Sequence, residues 1–67
     1  MAREIATSKG TWRIYGISFT PSNSIYTNLK NAIENGNLWQ SYLQRITGYN
    51  GTILIDRASK EIHFLKF

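Results

Sequence analysis

Cysteine is absent from this 67-residue chain, and proline occurs only once. Without cysteine, neither disulfide bonds nor thiolate metal sites can stabilise the small core that such a short chain can bury. Helix packing, strand pairing or self-association must provide the stability, so a homo-oligomer is one of our hypotheses. No apolar run approaches the ~20 residues that cross a bilayer, and the N-terminal residues lack the apolar segment of a signal peptide. We therefore expect a cytoplasmic protein with no membrane partner.

Side chains that commonly carry catalysis are also scarce. One histidine and four scattered acidic residues cannot assemble a three-ligand zinc site within one chain, although a symmetric oligomer could pool ligands. Neither the G-x-x-x-x-G-K-S/T nor the G-x-G-x-x-G phosphate-binding motif occurs. Asp56 and His63 lie near Ser59, but a serine at a loop tip without oxyanion donors favours a surface ion pair over a hydrolase triad. We expect no enzymatic activity, no cofactor and no metal.

Basic residues outnumber acidic ones by eight to four, which gives a formal net charge of +4. This excess favours anionic partners such as nucleic acid without requiring them, since small basic proteins are common. Hydrophobic residues make up 42% of the chain, which is enough to predict a folded domain instead of a disordered segment.

The hydrophobic pattern predicts a small α+β domain. Residues 1–10 show no sustained period and are expected to form a flexible arm before a single domain over residues 11–67. Residues 11–19 are rich in β-branched and aromatic side chains, which is typical of a strand. Both faces of this strand are partly apolar, so the pattern leaves open which face is buried.

An amphipathic helix is predicted after this strand. Ser22 or Ser24 can cap its N-terminus, and Gly36 is placed to end it. The residues expected to face the core recur with helical spacing and are Ile25, Tyr26, Leu29, Ala32 and Ile33.

A second helix, residues 38–47, is predicted directly after the first. Asn37 and Gln40 have the spacing of a capping box at its start, and Gly48 follows its end. The apolar stripe expected to face the core consists of Leu38, Trp39, Tyr42, Leu43 and Ile46.

Residues 52–56 and 62–66 predict a C-terminal β-hairpin with a polar tip. Pairing Asp56 with Glu61 would place like charges opposite each other, so we prefer the register that pairs Asp56 with His63. The side chains on the buried face are then Ile53, Ile55, Ile62 and Phe64. The predicted topology is β-α-α-β-β, with two helices on one face of a three-stranded sheet.

The outer side of the second helix is predicted to carry no acidic residue. Glutamine and arginine are side chains that hydrogen-bond base edges and phosphates, and the following hairpin adds two cations near its tip. The candidate nucleic-acid-binding residues are Gln40, Ser41, Gln44, Arg45, Arg57 and Lys60. The order helix, helix, hairpin over residues 22–66 resembles a winged helix, although a strand stands where that family has its first helix.

The sheet face away from the helices is predicted to be apolar. Its candidate interface residues are Trp12, Ile14, Leu54, His63, Leu65 and Phe67, with Tyr15, Ile17 and Phe19 as the alternative set from the first strand. A surface of this kind suits a protein partner or a second copy of the chain. Its aromatic rings would also suit the stacking of unpaired bases.

Two hypotheses for function follow from these patterns. The first is a regulator that binds DNA or RNA through helix 38–47 and the hairpin tip. The second is a protein-binding adaptor or inhibitor, of the kind that viruses and mobile elements encode, docking through the apolar sheet face or forming a homodimer. Basic residues gathered on one surface of the folded domain would favour the first hypothesis, and scattered ones the second.

Overall fold

A mixed four-stranded sheet carries two helices on one of its faces. The computed structural model describes residues 2–16 and 19–66. In chain order the elements are β1 (Ala2–Thr7), β2 (Gly10–Gly16), α1 (Asn23–Glu34), α2 (Gln40–Thr47), β3 (Thr52–Asp56) and β4 (Glu61–Leu65). The strands lie in the order β1-β2-β4-β3. The predicted α+β class, with two helices and a C-terminal hairpin, is confirmed, and the sheet has one strand more than expected.

The additional strand is formed by residues that we expected to be a flexible arm. Ala2–Thr7 pairs antiparallel with β2, and Ile5 is buried opposite Trp12. In the turn between the strands, the Thr7 hydroxyl donates to the Gly10 carbonyl at 2.6 Å, and Gly10 has a φ of 106° that favours glycine. A segment with little pattern of its own is therefore ordered by pairing with a strand-forming neighbour.

The two central strands, β2 and β4, run parallel. Ile14 lies opposite Ile62, and these side chains are 1% and 0% exposed beneath the helices. Trp12 is also buried, at 6% exposure, so the prediction that placed Trp12 and Ile14 on the outer interface is wrong. The opposite face of β2 carries Tyr15, whose polar hydroxyl reaches partners more easily at the surface than in the core.

Helix α1 forms as the sequence predicts. Ser22 is its N-cap, and the Ser22 hydroxyl accepts the backbone N–H of Ile25 at 3.4 Å. The chain leaves the helix at Gly36, which has a φ of 73°. Its fully buried side chains are Leu29, Ala32 and Ile33. Over the residues described, neither helix has the length and apolarity that a membrane span requires.

Helix α2 starts later than predicted, and the expected capping box does not form. Trp39 is the N-cap and makes no side-chain capping bond, because an indole has no oxygen to accept a backbone N–H. Asn37 does not cap α2, because its backbone closes the turn out of α1. The Trp39 side chain is 49% exposed, so the prediction that it packs in the core is wrong. Leu38 and Leu43 are buried in its place. The helix ends at Gly48 in the left-handed conformation, as predicted.

The C-terminal hairpin adopts the register that the charge argument disfavoured. Asp56 lies opposite Glu61, and His63 lies opposite Leu54. The difference is a shift of two residues, which preserves the alternation of side chains between the faces. The predicted inner face is therefore retained, with three buried residues and one half-buried one: Ile53, Ile62, Phe64 and Ile55.

The carboxylate of Asp56 explains why like charges do not prevent this register. It turns into the loop and accepts the backbone N–H groups of Ala58 and Ser59 at 3.1 and 3.2 Å. Lys60 supplies the positive φ, 59°, that closes the turn without glycine. Hydrogen bonds within the loop therefore outweigh the repulsion between Asp56 and Glu61 across the strands.

The two tryptophans test which side chains stabilise the core. Truncation of the buried indole in Trp12→Ala should lower the free energy of unfolding by about 3–5 kcal/mol. The matched variant Trp39→Ala removes an exposed indole and should change it by only about 0.5 kcal/mol. Urea denaturation followed by circular dichroism measures both, and equal losses in the two variants would contradict the assigned faces.

Candidate functional site

The turns of both hairpins lie at the same end of the sheet, because β2 and β4 are parallel neighbours and each begins there. The β1–β2 turn contributes Lys9, and the β3–β4 turn contributes Arg57 and Lys60. The connection between the helices reaches the same end, where the Arg57 guanidinium donates to the backbone carbonyl of Leu38. Three loops from distant parts of the sequence therefore meet at this end of the sheet.

These loops surround a cavity of about 270 Å³, which we call the basic pocket. Its lining combines three cations with apolar side chains and one glycine: Lys9, Arg57, Lys60, Trp12, Ile33, Leu38 and Gly36. The Lys60 ammonium lies across the β1–β2 turn, so that a Cβ built on Gly10 would be only 2.6 Å from Nζ. Cationic groups over an apolar floor can hold an anionic group that carries an apolar portion.

Two contacts between a basic side chain and a carboxylate form within the described ranges, and neither uses a cation of the basic pocket. Arg13 lies 3.6 Å from Glu4, and His63 lies 3.2 Å from Glu61. No three His, Asp or Glu side chains in residues 2–16 and 19–66 come together in a group that could hold a metal ion. The cations of the pocket therefore keep donors that no carboxylate of the described chain occupies.

Carboxylates at the same end of the sheet are held by other donors. Glu34 accepts the hydroxyl and backbone N–H of Ser8, which lower its pKa, and nearby lysines, including Lys9, lower it further. The loop N–H of Ser59, followed by its hydroxyl and the N–H of Ala58, lowers the pKa of Asp56. Both groups thus stay ionised and reduce the local positive charge without bridging to the lysines.

The candidate residues on α2 lie away from this pocket. Gln40, Ser41 and Arg45 are exposed, whereas the side-chain amide of Gln44 donates to the carbonyl of Gly51 at 3.2 Å. A second cavity, of about 410 Å³, is lined by polar residues of α2 and the hairpin base, namely Gln40, Gln44, Asn50, Gly51, Thr52 and Lys66. The amides of α2 and the hairpin-tip cations therefore belong to different cavities.

The candidate residues named from the sequence did not include Lys9, which lines the basic pocket, or Trp39, which directly follows the pocket residue Leu38 as an exposed side chain. The Ser8-Lys9-Gly10 segment carries a turn signal, but its meaning depends on strands that the N-terminal pattern does not reveal. The Trp39 ring lies 5.4 Å from the Tyr42 ring, and the Arg45 guanidinium lies 5.0 Å over Tyr42. Leu38 and Trp39 are adjacent on the helical pattern, so periodicity alone did not show which of them is buried.

The outer sheet face carries a polar network at its centre. The rings of Tyr15 and His63 are stacked, with centroids 4.6 Å apart and planes inclined by 7°. The Tyr15 hydroxyl donates to Glu61 at 3.0 Å, and the second Glu61 oxygen lies 3.2 Å from His63 Nε2. These bonds, that from His63 first, lower the pKa of Glu61. The face is therefore more polar than the sequence suggested.

Half of the predicted interface set lies on this outer face. His63 and Leu65 are half-buried there, and Leu54 on the edge strand β3 is 53% exposed. Of the alternative set, Tyr15 is on this face, whereas Phe19 packs against core aromatic rings. Two of the named residues lie outside the described ranges: Ile17 and Phe67.

Acidification tests the carboxylate that shapes the hairpin tip. The pKa of Asp56 is lowered from its ordinary value of 3.8, so its stabilising effect is complete above that value and is lost as pH falls through the lower folded value. Asp56→Asn removes the charge while retaining an acceptor for the loop. We expect its melting temperature to fall less steeply on acidification than that of the parent, as measured by circular dichroism. Identical acid dependence in both proteins would contradict this role.

Comparison with protein-family models, with curated proteins and with solved structures finds no match to this chain.

Proposed function

We propose that this protein is a non-catalytic nucleic-acid-binding module that acts as a regulator and contacts phosphates through the basic pocket. One observation carries the proposal: Lys9, Arg57 and Lys60 line a single cavity, and no described carboxylate lies within ion-pair distance of them. Contacts from lysine and arginine to phosphates supply most of the affinity of non-specific nucleic-acid binding. Three cations gathered on one surface favour the nucleic-acid hypothesis, whereas scattered cations would have favoured a protein partner.

The conformation of the turns restricts the cations that we propose to contact a phosphate. Arg57 uses part of its guanidinium on the Leu38 carbonyl, which orients the group and leaves further N–H donors for a ligand. The Asp56 carboxylate orders the loop that carries both Arg57 and Lys60. Less conformational entropy is then lost when an anion binds.

The other cations of the described chain do not line the basic pocket. Arg13 pairs with Glu4 on the outer face, and the Arg3 guanidinium lies 3.9 Å over the ring of Tyr26. Lys66 follows the C-terminal end of β4, whereas Lys60 precedes its start. Lys66 is therefore a matched control for the lysines of the pocket.

A protein partner on the outer sheet face is the second candidate, and the exposure of Leu54 favours it. Two of the apolar residues expected there, Trp12 and Ile14, are in the core, so this face carries less apolar surface than the sequence predicted. If the face joins two copies, Leu54→Lys should lower the apparent mass in sedimentation without unfolding the protein. A parent that is monomeric at high micromolar concentration would remove the homodimer from this candidate.

The salt dependence of binding tests the phosphate contacts. With three contacts, the slope of log K against log salt should be about −2 to −3, since each contributes roughly −0.7 to −0.9. Lys60→Gln should reduce the magnitude of the slope by about one contact, because a neutral amide releases no counterion. Lys66→Gln makes the same change of charge at the other end of the sheet and should leave the slope unchanged.

Fluorescence anisotropy with labelled mixed-sequence oligonucleotides, single-stranded and duplex, provides these slopes. An absence of binding to both forms at low salt and high micromolar protein would contradict the proposed function. Equal effects of the two lysine substitutions would contradict the assignment of the basic pocket.

A further inference from the structure

The N-cap position of α2 holds a side chain that neither caps the helix nor packs in the core. Helix N-caps favour Ser, Thr, Asp or Asn, whose oxygens accept a free backbone N–H, and an indole cannot do this. Trp39 makes no capping bond and is 49% exposed. Only one other large hydrophobic side chain within the described ranges, Leu54, is comparably exposed, and it lies on the far face of the sheet. An exposed indole without either structural role is typical of a contact residue.

Neighbouring side chains of α2 contact the Trp39 ring on one side. The Tyr42 ring lies 5.4 Å away at an inclination of 57°, and Arg45 extends the row with its guanidinium 5.0 Å over Tyr42. These residues are spaced by three along the helix and therefore follow one another on its surface. The indole thus has a restricted orientation while about half of its surface remains accessible.

Trp39 adjoins the basic pocket through its neighbour in the chain. Leu38, the residue that precedes Trp39, lines the pocket and accepts a hydrogen bond from Arg57. Lys9 and Lys60 complete the cationic side of the same cavity. An exposed indole that directly follows a residue of a cationic pocket has the chemistry of a nucleotide site, since every base has a π-face and every linkage a phosphate.

We propose that the protein binds single-stranded nucleic acid, with an unpaired base stacked on Trp39 and the neighbouring phosphates on Lys9, Arg57 and Lys60. This inference rests on the proposed function and adds the class of strand that is bound. In a duplex the faces of each base are covered by its neighbours, so the indole can be used only by an unstacked base. The phosphate contacts alone would accept both forms.

The experiment uses the full chain and labelled oligonucleotides of about 12 nucleotides, within the site sizes of small single-strand-binding domains. The probes are a single strand of DNA, the RNA strand of the same sequence, and a duplex of the DNA strand with its complement. The parent should bind either single strand more tightly than the duplex, and the comparison of the two strands shows which sugar the site accepts. A duplex bound as tightly as both single strands would overturn the inference while leaving the proposed function intact.

Three variants separate stacking from folding and from charge. Trp39→Ala should weaken single-strand binding by roughly 5- to 150-fold, the range expected for loss of one stacked base, with an unchanged salt slope. Trp39→Phe keeps a π-face and should retain most of the affinity. Leu54→Ala removes the other exposed large hydrophobic residue and should bind as the parent does. Parent-like affinity in Trp39→Ala would overturn the stacking contact.

Fluorescence gives a second measurement that does not depend on truncating Trp39. The chain has two tryptophans, and the difference between the parent and Trp39→Phe isolates the signal of Trp39 without altering the pocket residue Trp12. Trp39 is 49% exposed and Trp12 only 6%, so Trp39 is the indole that a bound base can reach. Its emission should be quenched as the single strand is added. The midpoint of this quenching should equal the midpoint of the anisotropy titration. Binding without quenching would show that the base does not stack on Trp39. If the parent binds no oligonucleotide and Trp39→Ala loses self-association, the surface around Trp39 is a protein contact instead.

Discussion

The parallel pairing of β2 with β4 is the constraint on which the rest of this structure depends. It places Ile14 against Ile62 at the centre of the sheet, where the helices bury both side chains. Since the two strands run in one direction, the turn that precedes each of them lies at the same end. An antiparallel arrangement of the same strands would have moved one turn to the opposite end and separated the cations that line the basic pocket.

The same constraint determines what each turn must do locally. Asp56 accepts the loop N–H groups in one turn, Gly10 provides the positive φ of the other, and the ammonium of Lys60 lies across Gly10. Carboxylates at this end therefore organise backbone and hydroxyl donors instead of binding the cations. On the outer sheet face, by contrast, the carboxylate of Glu61 is hydrogen-bonded to the side chains of Tyr15 and His63. The cations at the end of the sheet therefore remain available to a ligand, whereas the carboxylate of Glu61 on the outer sheet face already has hydrogen-bond partners.

Particular elements show where sequence reasoning succeeded and failed. Helix α1 carries its own signals, a serine cap and an uninterrupted apolar stripe, and it forms as predicted. The hairpin alternation also predicted the buried face, whereas its register depended on how Asp56 bonds in three dimensions. Of the candidate site, Arg57 and Lys60 were identified from their position near the tip, but Lys9 and Trp39 were not. Both omissions arise at positions whose surroundings come from distant segments.

Local signals in the chain, namely helical spacing, alternation and end residues, were sufficient for the types of most elements and for the side chains that share a face. They were insufficient for the strand at Ala2–Thr7, for the choice of face in β2 and for the exposure of Trp39. Periodicity shows which residues point the same way, but it does not show what lies on that side. That is decided by pairing between segments some fifty residues apart, such as Arg13 with Glu61, and only the folded chain brings such segments together.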